Sequence, residues 1–295
     1  MKKNLSKLVS LSLASIITAG ALVGCGNASE SNTSEPSTNA ASDSSTATES
    51  TKELETITVA ASATPHAEIL EAAKEALKEQ GYDLQVTVFD DYVQPNEVVE
   101  AGDFDANYFQ HIPYLNSFNE EHGTHLVDAG DIHYEPFGIY PGTKSSLDDV
   151  AKGDVIAIPN DTTNEARALL LLQDNGLLTL KDGVGLEATV NDITENPYDL
   201  DFEELEAAQV ARVVGEVAYV VLNGNYALEA GYSVSKDSIA YESADSEAAK
   251  TYVNIIAVAE GHENDEGIKA LVEVLTSDDV RSYIESTYDG AVVPF

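Results

Sequence analysis

The chain has no tryptophan, one cysteine and one methionine, Met1, among its 295 residues. Without a second cysteine no intramolecular disulfide can form, so stability has to come from packing of Leu, Val, Ile, Ala, Phe and Tyr. Positive charge is scarce too: 15 Lys and Arg stand against 52 Asp and Glu, for a formal net charge of −37. Such a surface repels phosphate backbones, and nucleic-acid binding is excluded because it rests on Lys and Arg neutralising phosphates. Catalytic signatures are missing as well: the sequence has no G-x-S-x-G, no H-E-x-x-H and no paired-cysteine pattern, so neither an enzyme nor a resident metal or cofactor is expected. Gly183-Val184-Gly185-Leu186-Glu187-Ala188 spells G-x-G-x-x-A, but no clear strand precedes it and no amphipathic helix follows, so it reads as a turn.

What is present begins with an address. Lys2, Lys3 and Lys7 precede an apolar stretch over residues 8–24 that ends in Leu22-Val23-Gly24-Cys25. This is the layout of a secretory signal, and it is shorter than the ~20 apolar residues that span a bilayer. The Leu-x-Gly-Cys ending resembles the bacterial lipobox, which implies removal of residues 1–24 and a diacylglycerol on the Cys25 thiol. Loss of three lysines would bring the net charge to −40. Residues 26–54 are Ser, Thr, Asn, Ala and Glu with little apolar content; they read as a flexible tether with an end-to-end distance on the order of 30 Å.

From Glu55 the pattern alternates between strands and helices. Residues 57–60 predict a strand, Thr64 and Pro65 a helix N-cap and first turn, residues 84–88 a second strand, Pro95 a second helix, and residues 104–107 a third strand before a helix through Tyr114 and Phe118. A second series follows Pro136-Phe137-Gly138-Ile139-Tyr140: a strand over 154–158, an apolar helix over 164–175, a strand over 216–222, a last strand over 252–258 and two closing helices. The order predicts α/β architecture with mostly parallel sheets flanked by helices. Two lobes are expected, 55–138 with 250–295 and 139–249, with a ligand in the cleft between them at the C-terminal ends of strands.

Three arginines occur, Arg167, Arg212 and Arg281. Thr162-Thr163-Asn164-Glu165 fits a capping box and places Arg167 in the first turns of a helix that opens at a strand's C-terminal end. Unpaired backbone donors, the positive end of the helix dipole and a planar guanidinium would converge there, which suits a carboxylate. An ion pair of Arg167 with Glu165 or Asp161 is the structural alternative. Four of the six histidines, His111, His122, His125 and His133, lie close together in sequence and would carry a divalent-metal site if they converged. His111 differs in being surrounded by Tyr108, Phe109 and Tyr114, as if lining an apolar pocket.

Several longer runs are specific. Phe89-Asp90-Asp91-Tyr92-Val93-Gln94-Pro95-Asn96-Glu97, Asp105-Ala106-Asn107-Tyr108-Phe109-Gln110-His111-Ile112-Pro113-Tyr114-Leu115, the stretch from Ile158 to Gln173, Asn223-Gly224-Asn225-Tyr226-Ala227 and Pro65-His66-Ala67-Glu68-Ile69-Leu70 together resemble the methionine-binding lipoproteins, the MetQ/NlpA family of ABC-importer substrate-binding proteins. The resemblance implies a two-lobed periplasmic-binding-protein fold (type II) with two crossovers. It implies a thioether pocket of Tyr92, Phe109 and His111, a carboxylate site at Arg167 with Asn164 beside it, and Asn223 at the ammonium end. The ligand would be L-methionine, its D-isomer or a methionine derivative or dipeptide. The implied partners are an ABC permease with its ATPase subunits and, through the N-terminal lipid, the extracytoplasmic face of the cell membrane. Two other readings stay open: a divalent-metal receptor of the same transport class, and a surface adhesin that keeps the fold without the solute site.

Overall fold

The computed structural model describes residues 53–243 and 250–295; the expected signal, Cys25 and nearly all of the tether lie outside the described residues. The chain opens with β1 (Glu55–Ala61), α1 (Glu68–Glu79), β2 (Tyr82–Val88), α2 (Gln94–Glu100), β3 (Ala106–His111), α3 (Ile112–His122) and β4 (Leu126–Tyr134). After residues 135–137 come β5 (Gly138–Pro141), β6 (Val155–Pro159), α4 (Thr162–Asp174), the pair β7 (Thr179–Leu180) and β8 (Ile193–Glu195), β9 (Asp201–Leu205), α5 (Ala207–Val210), β10 (Tyr219–Leu222), α6 (Gly224–Glu229), α7 (Val234–Asp237) and β11 (Ala240–Tyr241). The chain then returns through β12 (Val253–Ala259), the helices Glu266–Leu275 and Asp278–Tyr288, and β13 (Val293–Pro294).

Two larger sheets result. The first has the order β13-β4-β12-β3-β1-β2 and the second β11-β5-β10-β6-β9. The chain passes between them twice, at residues 135–137 and between β11 and β12. Gly138 already pairs with Leu222 in the second sheet, one residue earlier than the expected division.

Both sheets are mixed. β2, β1 and β3 are parallel, as are β10, β6 and β9, and these are the halves built from β-α-β units. The remaining strands pair antiparallel, β12 with β3 and β4, and β5 with β10 and β11. The expectation of mostly parallel sheets holds for these β-α-β halves and is corrected for the sheets as a whole: β5 and β12, each entered on crossing between lobes, run against the strands on both sides of them.

Local sequence explains most elements. Ile69, Leu70, Ala73 and Leu77 form the buried stripe of α1, at the spacing one helix face requires. β3 is buried at every position, as expected of a strand covered on both faces. One start differs from expectation. Thr64 is extended, as an N-cap residue is, and the chain is helical from Pro65 as expected, but this first turn, Ala63–Ala67, is wider than an α-helical one and contains a cis Thr64–Pro65 peptide, and regular α1 begins at Glu68 without a side-chain cap. His66 in that turn is buried and hydrogen bonds with Asn254.

Candidate ligand-binding cleft

The strands of both sheets deliver polar residues to one place. β3 ends in Phe109, Gln110 and His111, β6 runs into the start of α4, and β10 ends just before Asn223, Gly224 and Asn225. These are C-terminal strand ends, where open α/β sheets hold ligands.

Asp161 is the N-cap of α4; its Oδ1 accepts from the Asn164 backbone N–H at 3.0 Å and from Asn164 Nδ2 at 2.8 Å. The capping box expected at 162–165 does not form, and the N-cap lies one residue earlier than expected. Thr162 donates its hydroxyl to Glu121 Oε1 at 2.7 Å, and Glu165 accepts from the Val190 N–H at 3.0 Å, so neither closes a box. With its Nδ2 held, Asn164 offers Oδ1 to two donors, His111 Nε2 at 3.1 Å and Asn223 Nδ2 at 2.9 Å. His111 in turn accepts from the Tyr114 N–H through Nδ1 at 3.1 Å and caps α3. Burial, joined by the charge of Arg167, lowers the His111 pKa to about 3, so its imidazole is neutral.

Arg167 sits at 4% side-chain exposure. Its Nε donates to Glu242 Oε1 at 2.9 Å, and its Nη2 donates to Glu242 Oε2 at 2.5 Å and to the Glu135 carbonyl at 3.0 Å. The Tyr252 ring lies 4.0 Å from the guanidinium carbon and Phe137 4.8 Å. The ion-pair partner is thus Glu242, and not the Glu165 or Asp161 that local sequence suggested. Burial alone would lower the guanidinium's pKa, but the charge and hydrogen bonds of Glu242 outweigh it and the net direction is up.

Tyr92, Phe109, His111, Asn164, Arg167 and Asn223 all line one cavity, and Gln110, Tyr114, Glu135, Gly224, Asn225 and Asn254 complete it. The space between these residues, counted out to the mouth and including open solvent there, is about 310 Å³. Tyr92 forms its aromatic wall, with ring centroids 5.5 Å from Phe109, 5.6 Å from Tyr114 and 4.9 Å from Tyr226. The Tyr92 hydroxyl donates to Asn225 Oδ1 at 2.5 Å. This bond, the His111–Asn164 and Thr162–Glu121 bonds and one from Tyr226 OH to the Asp90 carbonyl at 3.2 Å all join residues of the first lobe to residues of the second, so the cleft is closed.

The network leaves two lining atoms without partners. Asn223 donates Nδ2 to Asn164, and its Oδ1 is a buried acceptor with no donor; Asn225 accepts at Oδ1 from Tyr92, and its Nδ2 is a buried donor with no acceptor. Buried polar atoms are nearly always satisfied. An unpaired acceptor, an unpaired donor and a guanidinium around one small cavity match a molecule that carries both an ammonium and a carboxylate.

Behind the cavity lies a fully buried cluster. His133 donates Nε2 to Glu135 Oε1 at 2.8 Å and accepts the Tyr108 hydroxyl at Nδ1, 2.5 Å away. His66 Nε2 approaches Glu135 Oε1 at 3.4 Å and donates to Asn254 Oδ1 at 3.0 Å. Burial lowers the His66 pKa to about 4, against the opposing pull of Glu135, and lowers that of His133 to about 3. Burial pushes Glu135 upward, while His66 and the Asn225 backbone N–H pull it back. Position 224 tolerates only glycine, since a Cβ there would sit 2.6 Å from the Glu135 side chain. Of the histidines considered for a metal, only His133 belongs to a group with metal-ligand spacing, with His66 and Glu135. His122 stacks on Phe118 at 4.1 Å and His125 contacts Glu100 at 3.2 Å, both exposed, and His111 faces Asn164. The four do not converge.

Glu135, Asn225, Asn254 and Glu242 are the site residues that sequence reasoning missed. Asn225 carries a usable signal, a second asparagine two residues after Asn223 at a strand end. Glu242 carries none, being 75 residues from Arg167 in the chain.

Two mixed α/β lobes, joined by two crossovers and closed over a small polar cavity at their strand ends, define a two-lobed solute-binding protein of the periplasmic type. The family described as NlpA lipoprotein matches residues 57–295, and the chain belongs to it. The methionine-binding lipoprotein MetQ of Bacillus subtilis (strain 168) is 43% identical over 244 residues, which cover 81% of this chain and 87% of that protein. A solved protein of Ruminococcus gnavus ATCC 29149 superposes with a TM-score of 0.81 at 78% identity, over 82% of this chain and 99% of that one. A nutrient-binding protein from Burkholderia cenocepacia, solved bound to methionine, gives a TM-score of 0.77 at 42% identity, over 81% and 99% of the two chains.

Proposed function

We propose that the protein is an extracytoplasmic, lipid-anchored receptor that closes around methionine or a close analogue and hands it to an ABC permease served by ATPase subunits, without covalent chemistry. In this reading Arg167 and Asn225 Nδ2 take the ligand carboxylate, Asn223 Oδ1 takes the ammonium with the Glu135 carboxylate nearby, and Tyr92, Phe109 and His111 enclose the thioether. Sulfur against an aromatic ring contributes about 0.3 to 1.5 kcal/mol, and a neutral His111 adds no competing cation. The division into two lobes, with its first boundary just before Gly138, and anchoring through Cys25 are part of the same proposal.

The observation that carries it is the pair of unpartnered amide atoms beside a buried guanidinium in one cavity. A relative named for methionine binding and a structural neighbour bound to methionine support it. The adhesin reading gains nothing from a cleft whose arginine still lines the cavity. Isothermal titration of ligand-stripped protein with L-methionine, D-methionine, methionine sulfoxide and methionyl dipeptides tests the proposal. Micromolar or tighter binding of at least one is expected, and heat from none of them would sink it.

A further inference from the structure

Arg167 is held from one side. Its hydrogen bonds to Glu242 and to the Glu135 carbonyl, among the described residues, use Nε and Nη2. Glu242 supplies two of those bonds yet does not itself line the cavity, whereas Arg167 does. The carboxylate is also committed elsewhere: Glu242 Oε2 accepts from Tyr134 OH at 2.7 Å and from the Phe137 N–H at 3.1 Å. The Glu242 backbone N–H donates to the Phe137 carbonyl at 3.0 Å. Tyr134 and Phe137 bracket the first crossover, and Glu242 begins the second. One carboxylate therefore fastens both connections between the lobes to the guanidinium.

The chemistry gives this arrangement a purpose. A guanidinium buried without a counter-ion is strongly disfavoured, so an arginine kept in place before a ligand arrives needs an anion that does not occupy the ligand's position. A guanidinium has a fork on more than one edge. An anion that takes the Nε/Nη2 edge fixes the plane and leaves the remaining donors aimed at the cavity. We propose that Glu242 is a positioning residue for the ligand carboxylate, locking one edge of Arg167 and tying that edge, through Tyr134 and Phe137, to the two crossovers. This rests on the reading that Arg167 receives a ligand carboxylate.

The test compares methionine with methioninamide, which lacks the carboxylate, by calorimetry on wild-type protein and on Glu242→Gln. Glutamine keeps the shape but cannot accept from both Nε and Nη2. Methionine affinity should fall by about ten- to a hundredfold, methioninamide affinity should change by less than about threefold, and the preference for the carboxylate should shrink accordingly. Removing the Glu242 charge also removes an anion near the ligand, which by itself would tighten methionine binding. Unchanged or tighter binding of methionine by Glu242→Gln therefore overturns the proposal, as does an equal fall for both ligands, which would mark a general support of the cleft. If wild type binds methionine without preferring it to the amide, the carboxylate role of Arg167 fails and the positioning role with it. No binding of either ligand by wild type overturns this role for methionine, and the function proposed above falls with it only when D-methionine, methionine sulfoxide and methionyl dipeptides also give no heat. Should Glu242→Gln not fold, Glu242→Asp carries the same comparison: it keeps the charge but is one methylene short of reaching both nitrogens, and the preference should again decrease.

Discussion

At the scale of single residues, the site is governed by groups whose charge state burial has fixed. His66 is the clearest case: it is fully buried against Glu135, His133, Asn254 and the Tyr108 ring, and its pKa falls from 6.5 to about 4. A histidine with a depressed folded-state pKa contributes stability that is complete above its unfolded value, and this is lost as pH falls toward the folded value. Relative to His66→Asn, the wild-type protein should lose on the order of 2 kcal/mol of its stability advantage between about pH 7.5 and about pH 5. Urea unfolding of both proteins at the two pH values measures it, and a pH-independent difference would contradict the assignment. The cavity-lining residues Tyr92, Phe109, His111, Asn164, Arg167 and Asn223 were legible in the sequence because they sit in motifs a few residues long. Their partners were not: Glu135 and Glu242 reach the site through tertiary structure, and no local spacing announces them.

Among the elements, α4 does the most to order the cleft. Asp161 caps it and also grips the Asn164 side chain, so one carboxylate sets both the helix start and the orientation of the amide shared by His111 and Asn223. Asp161→Ala should cost about 1 kcal/mol of stability for the lost cap. It should also weaken ligand binding several-fold, because Asn164 is then free to turn its amide. Urea midpoints and calorimetric affinities report the two effects separately; a loss of stability with affinity intact would mean that Asn164 is held by other contacts. Strong periodicity made β1, α1, β2 and the helices Glu266–Leu275 and Asp278–Tyr288 readable from sequence. β4 escaped because Asp128, Gly130 and Asp131 interrupt its alternation, and its pairing with β12 shifts register twice. β3 lies two residues later than its sequence suggested, at Ala106–His111, since a strand covered on both faces lacks an alternating pattern to fix its ends.

For the whole molecule, the proposed anchor at Cys25 and the binding body make separate predictions. Residues 53–295 contain the cleft, its supporting network and both crossovers, while Cys25 lies 28 residues before the first described position. Replacing Cys25 with serine should release a soluble protein from the membrane fraction with its methionine affinity unchanged, as judged by fractionation and calorimetry; a loss of binding would show that the anchor and the cleft are coupled. The two-lobed plan was legible because β-α-β order and crossover both leave marks in the sequence, whereas the antiparallel halves of the sheets depend on where the chain re-enters each lobe. The closed cleft has one more consequence. Tyr92 belongs to the first lobe and Tyr226 to the second, and their rings stand 4.9 Å apart across the cleft. With no tryptophan to mask them, a parting of these coupled rings would register in the near-ultraviolet circular dichroism of the protein, with no added dye or label, and Tyr226→Phe would identify their share of the signal.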